Sequence, residues 1–411
     1  MEIREMDLKN YCSLTRNRFE IDPERDAEWY FGNRKVNEEL IKRIRNDFLV
    51  RGVPKCGILG RFGFGKTHTL CHLKYLFQSN VNDYPAVPFT MRIAPYDEGI
   101  AETSGWQYIH GKMLDAIGER FLREVVRDFD KLPETRRGEL SSEMMKIFKF
   151  GDENLKTSLS NLLSAYFLRE VKSTLAAWQW LKADKITKAT DLGDVGVKKT
   201  LETGGDMLNV ILNIGNLVRK VRKTGIVFLM DEAQALNEVK KRRRNEIHDA
   251  FLQLAEPYNA DVGFVIAYFG TGQQQIPDVF SKPDDILSRL GVSQSNIQEA
   301  IKDLKDLIKT KDDLRKFIDN VLNGLIDKEK ARKLINQKGL SGKVKPQQLP
   351  FTEEALDRIA QVLYQKEPNR NPRMIINTLA TLSAEAYQKG KAENKYILAT
   401  REFVDPLIKD L

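Results

Sequence analysis

Eight consecutive residues constrain the fold of this chain more than any others. Gly60-Arg61-Phe62-Gly63-Phe64-Gly65-Lys66-Thr67 matches G-x-x-x-x-G-K-[ST] at every fixed position. The match lies between a short apolar run, Cys56 to Leu59, and a segment of helical character that begins near Lys66. Glycines permit backbone conformations that side chains block, so the N–H groups of such a loop are able to surround phosphate oxygens. The helix that follows adds a dipole favouring negative charge. Gly60, Gly63, Gly65, Lys66, Thr67 and His68 are therefore the expected nucleotide-binding residues, with ATP and Mg as the ligands. Lys66 is expected to reach the β and γ phosphates as a point charge, and the Thr67 hydroxyl to hold Mg²⁺. The plain alternative is a glycine-rich turn that binds nothing.

A second pattern supports the phosphate reading. Ile226 to Met230 is a run of five apolar residues that ends in Asp231-Glu232. A buried parallel strand reads this way, because both of its faces are covered. A carboxylate at its end is placed to hold Mg²⁺ directly or through water (Asp231), and the next to polarise an attacking water (Glu232). A solvated strand terminus is the bland reading of the same pair. Ala86 to Ile93 and Gly263 to Phe269 are the other strand candidates. Strands alternating with helices predict an α/β fold with a parallel sheet core covered on both faces.

More than 150 residues separate Lys66 from Asp231, far more than one further strand and its helices need. The excess reads as helical, so a large helical insertion is expected at about 115–222. After Gly291 the pattern is helical and strongly charged, with helices expected over Asn296 to Ile326, Thr352 to Tyr364 and Arg373 to Tyr387. The expected organisation is an N-terminal arm (1–30), a core with its insertion (31–290) and an all-α lid (291–411).

Composition narrows the setting. The chain has 411 residues, 41% of them hydrophobic, enough for a sizeable core. Sixty-six Lys and Arg stand against 58 Asp and Glu, a net +8 that is compatible with a nucleic-acid partner. Cys12, Cys56 and Cys71 show no metal-ligand spacing and suit a reducing compartment. His68 and His72 share an i, i+4 spacing, but no third metal ligand is evident. No signal-peptide pattern and no run of ~20 apolar residues occurs, so the expected location is the cytoplasm, with no membrane partner.

At this point the residues resemble the AAA+ ATPases, and the initiator-like branch with the origin-recognition proteins in particular. Phe31-Gly32-Asn33-Arg34 looks like the family's box near the adenine, GRFGFGKT its Walker A, and IVFLMDEAQAL its Walker B. The resemblance implies a sensor 1 role for Thr271, after the fourth strand, with Gln273 as competitor. It implies an arginine finger at Arg289, completing a neighbouring subunit's site, and a sensor 2 role for Arg373, with Arg370 close by. The insertion, with Trp178-Gln179-Trp180-Leu181 and Leu192-Gly193, is similar to the layout of ATP-binding proteins of BREX-type phage defence. A Trp pair at that spacing is also ordinary helix packing. The chain is similar too to TnsC-type transposition regulators, which assemble on DNA, and no winged-helix reader is expected after the lid.

Lys240-Lys241-Arg242-Arg243-Arg244 is the densest positive run, nine residues beyond Asp231 at its start. Such a run neutralises DNA phosphates without reading bases, or it is a solvated helix start. The resulting expectation is an ATPase that forms a homo-oligomeric ring or spiral, acting on double-stranded DNA. The alternative is a slow nucleotide-gated switch that recruits a partner effector protein through the insertion, without binding nucleic acid.

Overall fold

The computed structural model describes residues 5–16, 19–31, 34–93, 105–147, 153–154, 157–159, 171–183, 196–238, 241–256, 259–269, 301–304, 308–365 and 370–408. It is an α/β structure. Helices α1 (Glu5–Cys12) and α2 (Arg34–Arg51) precede strand β1 (Lys55–Leu59), followed by helix α3 (Lys66–Ser79) and strand β2 (Ala86–Arg92). Strands β3 (Gly225–Asp231) and β4 (Val262–Tyr268) complete a parallel sheet of four strands in the order β2-β3-β4-β1. A three-residue strand, β5 (Ile301–Asp303), extends it beyond β1. The sequence pattern predicts helix there, because the charged Ile301-Lys302-Asp303 stretch carries no strand signature of its own; pairing at the sheet edge overrides local preference.

All five residues of β1 and all seven of β4 are buried, as are the first six of β3. The apolar runs are those of strands buried on both faces. On one face, Phe89, Met91, Phe228, Met230, Phe264 and Ile266 share a core with Trp106, Ile109, Ile211 and Phe251. The helices Gly105–Ile117, Gly204–Arg222 and Lys241–Ala255 supply that layer. The helix Gly204–Arg222, which sequence spacing puts inside the insertion, belongs to this sheet-covering layer and packs on β3 and β4. It starts with a capping box between Thr203 and Asp206 and ends with Lys223 in the left-handed conformation.

The Trp pair of the insertion is explained by packing. Trp180 is buried in the same core, and its indole N–H donates to the Lys199 carbonyl at 2.8 Å. The basic residues at the end of the helix Gly204–Arg222, Arg219 and Arg222, are tied into the structure too. Arg219 pairs with Asp261 at 3.1 Å and donates to the carbonyls of Gly52 and Ala260, while Arg222 pairs with Asp128 at 2.6 Å. In α2, Leu40, Ile44 and Phe48 are buried, whereas Leu49 and Val50 stand in solvent.

By contacts the chain divides into two compact units. One comprises residues 40–59 and 73–302 and holds the sheet. The other comprises 1–39, 60–72 and 303–411. In this second unit the N-terminal segment is built into the C-terminal helices. Thr15 N donates to the Leu325 carbonyl and Asp327 N to that of Ser13, both at 2.8 Å. The Tyr11 hydroxyl donates to the Ile397 carbonyl, and its ring stacks on Tyr396 with centroids 4.5 Å apart. The helix Lys311–Leu325 is held by a Thr310–Asp313 capping box and buries Leu314, Phe317, Ile318, Val321 and Leu322 on one face. Among the described residues no helix is long and apolar enough to cross a membrane.

Candidate functional site

The loop Gly60–Gly65 leaves the carboxyl end of β1, and α3 opens at Lys66 itself. Gly63 and Gly65 have φ of +78° and +82°, a region that residues with a Cβ seldom enter. The loop's conformation therefore requires glycine at both positions. The first amides of a helix have no acceptor within it, so this end of α3 offers N–H groups to an anion. Lys66 is buried, and its Nζ donates to the carbonyls of Gly60 at 3.0 Å and Arg61 at 3.3 Å. Thr67 is exposed.

His68 faces elsewhere. Its Nε2 meets the Trp29 carbonyl at 2.7 Å and its ring packs on Phe31 with centroids 5.4 Å apart. One turn on, the buried His72 engages the Ala27 carbonyl at 2.8 Å through Nδ1. Burial holds both imidazoles below their ordinary pKa, so they are neutral packing groups that fix the N-terminal segment on α3. Among the described residues no group of three or more His, Cys, Asp and Glu is arranged to hold a metal. Thr67 at the start of α3 and Asp231 at the end of β3 each carry an oxygen of the kind that Mg²⁺ takes beside phosphate oxygens.

A contact that local sequence patterns do not reveal joins the loop to the C-terminal helices. Asn371 caps the helix Pro372–Ala392, accepting from Arg373 N at 2.9 Å. Its Nδ2 also donates to the Phe62 carbonyl at 2.6 Å. A Cβ added at Gly63 would collide with the Asn371 amide, Oδ1 first and Nδ2 at 2.7 Å. Gly63→Ala thus meets both a disfavoured φ and a clash. The expected cost is about 1–3 kcal/mol, read as a lowered melting temperature. The sequence signal at Asn371-Pro372 is that of a helix start, Asn at the cap and Pro at the first position. Its partner, more than 300 residues upstream, leaves no local trace.

The acidic pair closes β3. Asp231 is its last residue, and Glu232 follows with φ +59°, unusual for a residue with a side chain. Glu232 N donates to Asp231 Oδ1 at 2.9 Å, and both residues are half-buried. The next turn, Ala233–Glu238, brings Gln234 back to the pair: its Nε2 donates to Glu232 Oε2. Its Oε1 accepts from Phe269 N, one residue past β4, at 3.0 Å.

The remaining expected residues are distributed as follows. Arg34 is the first residue of α2. Arg373 is exposed at the start of its helix, whereas Arg370 is occupied, donating to the Tyr364 carbonyl at 3.0 Å with its guanidinium over the Tyr364 ring. Lys241, Arg242, Arg243 and Arg244 form the first turn of the helix Lys241–Ala255. Lys240, Thr271, Gln273 and Arg289 lie outside the described residues. Comparison with protein-family models and with curated proteins finds no match for this chain.

Proposed function

We propose that the chain is a P-loop ATPase of the AAA+ type that binds ATP with Mg²⁺ at Gly60–Thr67 and cleaves it with Glu232. In the same reading it assembles, with ATP bound, into a ring or spiral on double-stranded DNA. One topological observation carries the nucleotide part. β1 and β3 run parallel with β4 between them, so the glycine loop and the acidic pair follow carboxyl ends at the same edge of the sheet. Neighbouring strands lie about 4.8 Å apart, so these two strand ends are about 10 Å apart. Register agrees: Met230 is level with Ile266 and Ile266 with Gly57, so Asp231 lies near the rung of Ile58, just before the loop. β1 also sits where the strand order reverses, with β4 on one side and β5 on the other, the position at which open α/β sheets bind ligands.

In this reading Lys66 offsets the charge on the β and γ phosphates, and Glu232 accepts the proton of the attacking water as ADP and phosphate form. Thr67 and Asp231 are the residues that would hold Mg²⁺, which would supply a further counter-charge to the phosphates. Arg289 acts on a neighbouring subunit's ATP, Thr271 and Arg373 respond to the γ phosphate, and Arg34 lies near the base; these four roles rest on the family resemblance.

Support for the nucleic-acid part comes from where the basic run begins. Four cations occupy the first turn of the helix Lys241–Ala255, the positive end of its dipole. Helix formation favours acidic residues there. A demand other than helix stability therefore sets these charges, and neutralising a phosphate backbone is the demand that fits, with Lys240 extending the run.

Sedimentation with ATP·Mg²⁺, with and without duplex DNA, tests the whole proposal beside Lys66→Ala and Arg289→Ala. Assembly that requires ATP, grows with DNA and fails in both variants is expected. A monomer under every condition overturns assembly, and leaves the nucleotide-gated switch that recruits an effector protein as the better reading.

A further inference from the structure

We propose that Gln234 is the positioning residue for Glu232, setting the direction of its carboxylate from the end of β4. The inference rests on the reading of Glu232 as the base of ATP cleavage. Its observation is a bridge of three groups. The Phe269 N–H has only a proton to give, so the atom of the Gln234 amide that faces it is the oxygen. The amide's other end is then the NH₂ group, which meets Glu232 Oε2. An ionised carboxylate only accepts, so donor and acceptor match at both contacts, and the amide has one orientation that satisfies them.

The neighbouring residues make this bridge stiff. Ala233, Ala235 and Leu236 are buried around Gln234, and Ala235 N donates to the Glu232 carbonyl at 3.0 Å. Glu232 itself is held in the left-handed region, so its backbone has little freedom to re-aim the side chain. Without the amide, the carboxylate is free to rotate about its side-chain torsions. With it, one oxygen is fixed and the other is directed. Phe269 precedes Gly270-Thr271, where the resemblance puts the residue that responds to the γ phosphate.

The bridge also has a purely structural reading, in which Gln234 merely satisfies the Phe269 N–H. Gln234→Glu separates the two. It keeps an acceptor for Phe269 but replaces the donor that faces Glu232 by a like charge. Gln234→Met removes both contacts at similar volume. Single-turnover cleavage of ATP·Mg²⁺ at saturating protein, ATP affinity and melting temperature are measured for both, with Glu232→Gln as the control that establishes the base.

The expected result is a cleavage rate reduced about 10- to 100-fold in Gln234→Glu, with ATP affinity within about twofold of wild type and the melting temperature unchanged. Gln234→Met is expected to be slowed as well. A wild-type cleavage rate in Gln234→Glu overturns the positioning role while Glu232→Gln still shows that the ATPase reading stands. A faster rate overturns it too, because the amide then restrains the base. If Gln234→Met fails to fold, Gln234→Glu decides alone. A wild-type protein that binds ATP without cleaving it, or does not bind it, removes the base and overturns both readings.

Discussion

Glu232→Gln is expected to bind ATP·Mg²⁺ with wild-type affinity and to cleave it about 10²- to 10⁴-fold more slowly, the usual contribution of a positioned general base. The amide keeps the size of the carboxylate and loses only its ability to take a proton. Lys66→Ala is expected to fail one step earlier. Removing a charged partner of the phosphates costs about 1.5–3 kcal/mol, or roughly 10- to 150-fold in affinity. Phosphate release at saturating ATP and titration of a fluorescent ATP analogue separate the two variants. Wild-type turnover in Glu232→Gln would place the base elsewhere. Wild-type affinity in Lys66→Ala would mean that the loop is a turn and nothing more.

The second large effect concerns stability, at the amino end of the same strand. Lys55 opens β1 and is fully buried. Its Nζ donates to the Glu256 carbonyl at 2.7 Å, and its N–H to Asp47 Oδ2 at 3.0 Å. Burial lowers its pKa to about 7, from an ordinary 10.5, and nearby Arg51 adds to the effect. The unfolded chain therefore binds more protons than the folded one between these values, so stability rises with pH. The stabilisation is complete only above the unfolded pKa and is lost as pH falls through the folded one.

The neighbouring shifts fall in other windows. Asp47 is raised and acts in acid, and the lowered histidines act below about pH 6.5. Cys12 and Cys56, both raised to about 12, oppose the trend, mainly as pH passes the ordinary thiol value of 9.0. Between about pH 7 and 8.5 the wild type should gain about 1–1.5 kcal/mol. Lys55→Met should show no gain across that interval and should be more stable than wild type at neutral pH. Urea denaturation at the two pH values reads this directly, and an equal rise in both proteins would refute it.

What is legible in the sequence follows from the range of the forces involved. The strands β1 to β4 are short, largely buried and apolar, so composition alone marks each to within a residue or so. The start of α3 at Lys66 is local chemistry, as are the positive φ values that Gly63 and Gly65 accommodate. Sequence reasoning fails where a partner distant along the chain decides. β5 exists through its place at the sheet edge, and Asn371 meets Gly63 across the length of the chain. The left-handed Glu232 and its bridge through Gln234 to Phe269 depend on how two strand ends are arranged, which no periodicity encodes. The helix Gly204–Arg222 is recognisable as a helix, yet its role as sheet cover is not, because an amphipathic stripe does not say which surface it meets.

The pairing of the N-terminal segment with the C-terminal helices sets an order on synthesis. Domains form from the N-terminus as the chain emerges from the ribosome. Here Leu14 has its bridge partner in Ile326, and Tyr11 its acceptor in Ile397. The glycine loop clusters with these same late residues, and Asn371 touches it directly. The sheet's residues are translated while the loop that follows β1 still lacks much of its surroundings. A nascent chain therefore carries the full glycine motif long before it has the contacts that shape it, and completing the C-terminal helices is what turns a written motif into a formed one.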